Sequence, residues 1–244
     1  MRVEIWSDIA CPFCYIGKAR FEKGLAAFAH RGEVEVHHRS FELNPNAGDP
    51  PGGPVTQMLV EKYGLSPEQA EAAERDVAAS AAGEGLEYGE GRLISGSTFD
   101  LHRLLHAARA LGEKEHDALL DAFYRAHFAD LLNLNDEETL LRVVTEAGID
   151  ETEARAVLAD KEAYAEAVRT DEREAAQLGA TGVPFFVIDR RFGVSGAQPP
   201  EVFTQALDQA YAAGGGLVTV ATAAAGTDAP VCEDGACEVP DPRP

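Results

Sequence analysis

Two cysteines separated by two residues, Cys11 and Cys14, stand where the sequence pattern changes from strand to helix. Residues 2–7 alternate between polar and apolar side chains, which is typical of a β-strand. Residues 15–29 carry apolar side chains at helical spacing. We therefore expect the two thiols at a junction where a strand ends and a helix begins.

The start of a helix is a favourable place for a reactive thiol. Its first turn has unpaired N–H groups and about half a positive charge, which stabilise a thiolate and make Cys11 a better nucleophile. Cys14 lies on the same helical face, roughly 5–6 Å away between Cβ atoms, and could resolve a mixed disulfide formed at Cys11. We expect Cys11 to be the exposed thiol and Cys14 the buried one. Half of a zinc site, or a chance pair, remains the alternative interpretation.

A second motif, Thr181-Gly182-Val183-Pro184, precedes the apolar run 185–188, which is typical of a strand buried on both faces. Proline cannot donate to a sheet ladder, so Pro184 belongs at the start of that strand. A cis bond before Pro184 would expose the N–H and C=O groups of Val183 to a bound peptide. A trans proline would only begin the strand.

The predicted elements divide the chain into four parts. Residues 1–45 hold a strand, the cysteine motif, a helix and a second strand, and residues 46–178 are helical with short loops. Within that block, the sequence predicts a helix over 55–63, a capping box at Ser66–Gln69 and a helix over 115–129. Residues 179–216 hold the proline motif, a hairpin with its turn at 189–191, and a closing helix, and residues 217–244 have no periodicity. The predicted fold class is α/β: a thioredoxin-like core with a large all-helical insertion and a flexible C-terminal tail.

With these motifs the chain resembles the DsbA family of thioredoxin-fold proteins, and within it the FrnE-like dithiol–disulfide isomerases. The resemblance covers roughly residues 1–213 and rests on Ser7-Asp8, Cys11-Pro12-Phe13-Cys14-Tyr15-Ile16-Gly17, Phe41-Glu42-Leu43-Asn44-Pro45, Thr98-Phe99-Asp100, His102-Arg103, Gly182-Val183-Pro184-Phe185-Phe186-Val187-Ile188 and Gly196-Ala197-Gln198. It implies that Cys11 and Cys14 are the catalytic residues and that Pro12, Phe13, Val183 and Pro184 contact the substrate. Phe13 stands where many relatives have Trp, and Gly96-Ser97-Thr98 replaces their usual Asn-Thr.

The predicted tail contains a second cysteine pair, Cys232 and Cys237, with Gly235 permitting a tight turn between them. Closing a short loop costs little entropy, so this pair would form a disulfide readily. Some FrnE-like proteins carry a C-terminal pair with the same spacing, so the resemblance implies an auxiliary redox pair here. A flexible linker as long as 218–231 spans about 20 Å, which makes exchange with Cys11–Cys14 feasible. Two idle thiols are the alternative.

Charge and composition limit the classes of partner that the protein could bind. The net charge of −21 argues against nucleic acid, and no run approaches the ~20 apolar residues of a membrane span. The N-terminus enters a strand at once, without the basic and apolar regions of a signal peptide, so we expect a cytoplasmic protein. A reducing cytoplasm favours a catalytic or metal-binding cysteine pair over a structural disulfide.

The leading hypothesis is a cytoplasmic thiol–disulfide oxidoreductase or isomerase without a cofactor or a metal. Its substrates would be proteins or small molecules that contain thiols or disulfides, with glutathione as one candidate. A second hypothesis is a zinc-linked redox sensor or holdase that uses all four cysteines, since four thiolates suit tetrahedral zinc. A third is a glutathione-dependent small-molecule isomerase or transferase of the same superfamily, although the resemblance places a serine at the position of Cys11 in those enzymes.

Overall fold

The computed structural model describes residues 1–48 and 52–214, together with the backbone of residues 232–233 and 236–237. The chain divides into two compact units. The first holds Met1–Leu43 and the chain from Asp171 onward, and the second holds Asn44–Thr170. No helix in the described ranges combines the length and apolar composition that a membrane span requires.

The first unit is built on a four-stranded mixed sheet. Its strands are β1 (Arg2–Ser7), β2 (Glu35–Ser40), β3 (Phe185–Ile188) and β4 (Phe192–Ser195), in the order β2-β1-β3-β4. β1 runs parallel to β2 and antiparallel to β3, with Trp6 opposite both Arg39 and Phe185. β1 is therefore a central strand, which agrees with its burial at every position from Val3 to Ser7.

Two helices, α1 (Pro12–Ala27) and α9 (Pro200–Ala212), cover one face of this sheet. They approach closely at Gly24, where an added Cβ would lie 2.6 Å from the carbonyl oxygen of Pro200. The core between helices and sheet contains Val3, Ile5, Phe21, Phe28, Phe186, Ile188, Phe192, Val194, Phe203, Ala206, Leu207 and Ala210. This burial of large apolar side chains is what fixes α1, and with it the cysteine motif, against the sheet.

The opposite face of β1 carries Glu4 and Trp6, and polar groups of the C-terminal half of α8 (Ala165–Gln177) contact it. The indole Nε1 of Trp6 donates to the carbonyl of Asp171 at 2.8 Å. Arg39 binds Asp171 at 3.0 Å and Glu4 at 2.6 Å, so it bridges the helix and the strand.

The second unit is helical. Its elements are α2 (Val55–Tyr63), α3 (Pro67–Gly83), α4 (Phe99–Leu111), α5 (Glu113–Tyr124), a π-helical turn (Arg125–Ala129), α6 (Glu137–Glu146), α7 (Glu151–Ala159) and the start of α8. The predicted capping box before α3 is confirmed: the amide of Gln69 donates to Ser66 Oγ, and the amide of Ser66 donates to Gln69 Oε1.

Arg103 organises this helical unit from a fully buried position. Its guanidinium donates to Asp100 Oδ1 at 2.6 Å and to the carbonyl of Ala163 at 2.8 Å. It also donates to the carbonyl of Val157, in the last turn of α7, and to that of the C-cap residue Asp160. A helix end leaves carbonyls such as that of Val157 without partners inside the helix. Arg103 thus caps the C-terminal end of α7 from α4.

The structure confirms the predicted fold class of a thioredoxin-like core with a helical insertion. In the C-terminal segment, the described backbone forms two short antiparallel strands, β5 (Cys232–Glu233) and β6 (Ala236–Cys237), with Cys232 opposite Cys237. Apart from these four residues, the predicted flexible tail, residues 217–244, lies outside the described residues. The side chains of Cys232 and Cys237 also lie outside them.

Candidate active site

The turn from β1 into α1 places the two thiols. The helix begins at Pro12, earlier than the apolar spacing alone predicts, because proline is preorganised for the first helical position. Cys11 is therefore the N-cap, with its amide donating to the Asp8 carbonyl at 3.2 Å. The amides of Cys14 and Tyr15 both donate to the Cys11 carbonyl, at 3.0 and 3.3 Å.

Each sulfur has a polar contact with a main-chain group. The Cys11 thiol donates to the carbonyl of Val183 at 3.6 Å, and Cys14 Sγ accepts from the amide of Asp8 at 3.5 Å. Both residues are buried, Cys11 to 0% exposure and Cys14 to 1%. The expectation of an exposed Cys11 is therefore wrong, because the N-cap position turns its sulfur toward the Val183 carbonyl.

The surroundings of Cys14 make its thiol hard to ionise. Burial raises the pKa of the Cys14 thiol well above its usual range, and the neighbouring Cys11 raises it further through a hydrogen bond and its charge. The amide of Asp8 opposes this effect, since an N–H donor favours the thiolate. Cys14 is thus held as a neutral thiol at neutral pH.

The Val183–Pro184 peptide bond is cis, and the surrounding main chain supports it. The carbonyl of Pro184 accepts from the amide of Gly196 at 2.8 Å. Arg20 of α1 donates to the carbonyl of Ala197, in the segment that follows β4, at 2.6 Å. The loop that faces Cys11 is therefore bonded to the segment after β4, and Arg20 fixes that segment to α1.

Gly17 allows α1 to lie directly against this loop. An added Cβ at Gly17 would lie 2.8 Å from Cγ of Pro184 and 3.4 Å from Cα of Ala197, so a larger residue would push the two elements apart. Pro12 and Phe13 are partly exposed, while Val183 and Pro184 are buried. The predicted catalytic and substrate-contacting residues of the first unit thus lie around one strand–helix turn and one loop.

A network of buried ion pairs is centred on Glu4 of β1, the strand that leads into the cysteine turn. The Glu4 carboxylate, 1% exposed, accepts from Arg39 at 2.6 Å and from Arg190 at 2.7 Å. Burial by itself raises the pKa of Glu4, but the hydrogen bonds and charges of Arg190 and Arg39 outweigh it and lower that pKa to about 2. Arg190 also binds Glu174 of α8 at 2.7 Å, so the network ties this helix to the sheet. No local sequence pattern predicts this network, because its members are far apart in the chain.

The helical unit has two further features. Glu113, His116 and Asp117 bring three possible metal ligands within 4.8 Å of one another, but Glu113 is also paired with Arg109 at 3.4 Å. A cavity of about 220 Å³ is lined by Gly91, Arg92, Leu93, Ile94, Ser95, His127, Leu131, Leu132, Asn133, Leu134 and Asn135. None of the predicted site residues lines this cavity.

Comparison with known proteins identifies the group to which this arrangement belongs. Residues 2–208 match the model of the DSBA-like thioredoxin domain. A crystal structure of a probable DsbA oxidoreductase from Streptomyces coelicolor is 59% identical, covers 99% of this chain and 100% of its own, and superposes with a TM-score of 0.85.

Two more distant proteins match most of this chain, one of them in its solved structure. The cytosolic disulfide reductase DsbM from Pseudomonas aeruginosa is 19% identical over 87% of this chain and all of its own, with a TM-score of 0.59, and a second structure of DsbM contains GSH. The uncharacterised protein YwbO of Bacillus subtilis is 24% identical over 85% of this chain and 96% of its own length. The chain belongs to the DsbA-like thioredoxin domain family of oxidoreductases.

Proposed function

We propose that this protein is a thiol–disulfide oxidoreductase that works through the Cys11–Cys14 couple. The observation that carries the proposal is the placement of both thiols at the start of α1, with Cys11 Sγ 3.6 Å from the carbonyl before Pro184. A helix start stabilises the thiolate that attacks a disulfide, and the adjacent second thiol completes the exchange. Family membership supports the same class of reaction.

The exchange has two steps that balance atoms and electrons. The Cys11 thiolate attacks one sulfur of a substrate disulfide, forming a mixed disulfide and releasing the other sulfur as a thiolate. Cys14 then loses its proton and attacks Cys11 Sγ, which releases the second substrate thiolate and leaves a Cys11–Cys14 disulfide. The substrate gains two electrons and the couple loses them; the reverse sequence oxidises a substrate dithiol.

The environment of Cys14 supports this order of reaction. Because burial raises the pKa of Cys14, this thiol is a poor attacker until the mixed disulfide brings an electrophilic sulfur beside it. Since both sulfurs are buried, exchange with a protein disulfide also requires a local opening that uncovers Cys11.

Isomerase activity would use the same first step. If another thiol of the substrate, rather than Cys14, attacks the mixed disulfide, the substrate leaves with a different pairing and no net electron transfer. In this proposal Pro12 and Phe13 contact the substrate beside the cysteines, and the Val183–Pro184 segment shapes the groove. A slow Cys14 favours isomerisation, because it lengthens the life of the mixed disulfide.

The proposed setting is the cytoplasm, with glutathione as one thiol that returns the couple to its dithiol form. This proposal is supported by the fold that the chain shares with a cytosolic disulfide reductase. One structure of that reductase contains GSH. In that exchange a glutathione thiolate attacks the Cys11–Cys14 disulfide, and a second glutathione releases the reduced couple as oxidised glutathione forms.

The test compares two serine variants in reduction of insulin disulfides by a dithiol. Cys11→Ser should reduce the rate to the uncatalysed background, because the attacking sulfur is gone. Cys14→Ser should instead accumulate mixed disulfides with the substrate, visible by mass spectrometry and on non-reducing gels. Full activity of the Cys11→Ser variant would refute the assignment of the site.

A further inference from the structure

Asp8 lies between the end of β1 and the N-cap Cys11, and its side chain is buried to 1% exposure. In the sequence Asp8 stands out only as part of the Ser7-Asp8 motif. A buried carboxylate is costly unless it is hydrogen-bonded, so its partners indicate what it stabilises.

The carboxylate of Asp8 accepts from two main-chain amides. Oδ1 accepts from the amide of Ala10 at 3.3 Å, within the turn that leads to Cys11. Oδ2 accepts from the amide of Leu43 at 2.7 Å, in the segment that follows β2 and is 35 residues away in sequence. Through Ala10 the side chain stabilises the turn internally. Through Leu43 it also anchors the turn to the segment that follows β2.

The main chain of Asp8 contacts both cysteines. Its N–H group donates to Cys14 Sγ at 3.5 Å, and its carbonyl accepts from the amide of Cys11 at 3.2 Å. One residue thus holds the start of α1 through Cys11 and the buried sulfur through Cys14, while its own carboxylate is anchored from two sides.

We propose that Asp8 is a positioning residue for the dithiol, a role that rests on the function proposed above. Its carboxylate, held by the amides of Ala10 and Leu43, fixes the peptide groups of Asp8. Those peptide groups in turn hold the Cys11 N-cap in place and keep Cys14 Sγ buried behind it. The negative charge of Asp8 also raises the pKa of Cys14, but less than burial and Cys11 do. The role proposed for the carboxylate is the geometric one.

The structure predicts how substitutions should rank. Asn keeps the size of Asp8 and one carbonyl oxygen, so it retains one of the two anchoring bonds. Glu keeps the charge but is one methylene longer, so its carboxylate cannot occupy the same place against the Ala10 and Leu43 amides. Ala removes both bonds without adding volume. Positioning therefore predicts a small effect for Asp8→Asn and larger effects for Asp8→Glu and Asp8→Ala.

A purely electrostatic role predicts the opposite order. A nearby negative charge disfavours a thiolate, and it would do so from any site close to Cys14. Asp8→Glu would then resemble the wild type, whereas Asp8→Asn and Asp8→Ala would both make Cys14 more reactive. The Asn and Glu variants are thus a matched pair that separates geometry from charge.

The experiment measures the ratio of Cys14 to Cys11 modification by iodoacetamide in the reduced, full-length protein, located by tandem mass spectrometry. It is run well below the unfolding temperature of each variant, so that a loss of stability alone does not change the ratio. We expect Asp8→Glu and Asp8→Ala to raise the ratio about thirtyfold, as for the loss of two hydrogen bonds, and Asp8→Asn about fivefold, as for the loss of one. A wild-type ratio in Asp8→Glu, or a larger effect in Asp8→Asn than in Asp8→Glu, would overturn the proposal.

If Asp8→Glu does not fold, the comparison of Asp8→Ala with Asp8→Asn decides the question. Positioning predicts a larger effect in Asp8→Ala, charge alone predicts equal effects in the two variants, and equal effects or a wild-type ratio in Asp8→Ala would overturn the proposal. The readout does not depend on turnover, because iodoacetamide reacts with thiols whether or not the protein exchanges disulfides. Absence of insulin reduction in the wild type would therefore refute the proposed function while leaving the role of Asp8 open to the same measurement.

Discussion

At the scale of single residues, exposure does not distinguish the two cysteines, since both are buried. Burial raises the pKa of Cys14 well above its usual range, so this thiol stays protonated at neutral pH. Because only a thiolate attacks, iodoacetamide at neutral pH should modify Cys11 before Cys14. Peptide mapping over time would check this, and raising the pH should narrow the difference. Modification of Cys14 first would contradict the assigned order.

The buried Glu4 carboxylate should make the free energy of unfolding depend on pH. Its pKa falls from 4.5 to about 2 on folding, so its contribution is fully present above about pH 4.5 and is lost as the pH falls toward 2. A shift of this size corresponds to about 3 kcal/mol. Glu4→Gln should lower the free energy of unfolding at pH 7 by a similar amount and should flatten its dependence on pH between 4.5 and 2.

Denaturant titrations at several pH values would measure the effect of Glu4→Gln. The matched control is Glu35→Gln, an exposed position on the neighbouring strand, which should change the free energy of unfolding by less than about 1 kcal/mol. Equal losses in the two variants would mean that the Arg39 and Arg190 contacts do not stabilise the fold.

At the scale of elements, the packing of α1 on the loop before β3 should be sensitive to one added methyl group. Gly17→Ala would place a Cβ 2.8 Å from Pro184 Cγ, an overlap that costs about 1–3 kcal/mol. This exceeds the gain of up to about 1 kcal/mol that alanine brings to a helix. We expect a lower free energy of unfolding and slower insulin reduction.

Gly83→Ala is the matched control for this prediction. Gly83 is the last residue of α3, and an added Cβ there would meet no atom within 4 Å. That variant should be unchanged or more stable by up to about 1 kcal/mol. If Gly17→Ala behaves in the same way, α1 and the loop are not closely packed.

Local patterns predict the elements well where neighbours in sequence determine them. The bounds of α2, β3 and β4 and the capping box before α3 follow from apolar spacing, turn residues and short side-chain contacts. The predicted helix over 115–129 is regular only to Tyr124, because the amide of Asp130 bonds to the carbonyl of Arg125 and forms a π-helical turn.

Features that depend on distant residues escape sequence reasoning. The hairpin turn at Asp189 and Arg190 has two left-handed residues, with φ of 49° and 55°, where glycine or asparagine is usual. Arg190 reaches Glu4 from this turn, a partner 186 residues away. The burial of Cys11 has the same origin, since the carbonyl that its sulfur contacts belongs to Val183.

At the scale of the whole molecule, the proposed function can be extended to the two cysteines of the tail. We propose that Cys232 and Cys237 exchange with the Cys11–Cys14 couple. The acidic neighbours in the sequence disfavour their thiolates, so they would be weak attackers when reduced but reducible partners when oxidised. Truncation after residue 216 should leave the fold intact and change the rate of insulin reduction or the equilibrium with glutathione.

A full-length Cys232→Ser/Cys237→Ser variant separates the thiols from the length of the tail. It should reproduce the effect of truncation if exchange is the cause. Equal kinetics and equal glutathione equilibrium in the full-length, truncated and doubly substituted proteins would exclude a relay through this pair.

The sequence distance between the two halves of the site has a consequence for the growing chain. Cys11 and the carbonyl of Val183 are 172 residues apart, and β1 stands between β2 and β3 in the sheet. At about 5–20 residues per second, a ribosome needs on the order of 10–30 s to reach Val183 after making the two cysteines. During that interval both thiols exist on a nascent chain without the loop that later covers them, and β1 has an edge open to other strands. Newly made copies therefore pass through a stage at which other thiols and disulfides in the cell meet this pair before its folded surroundings exist.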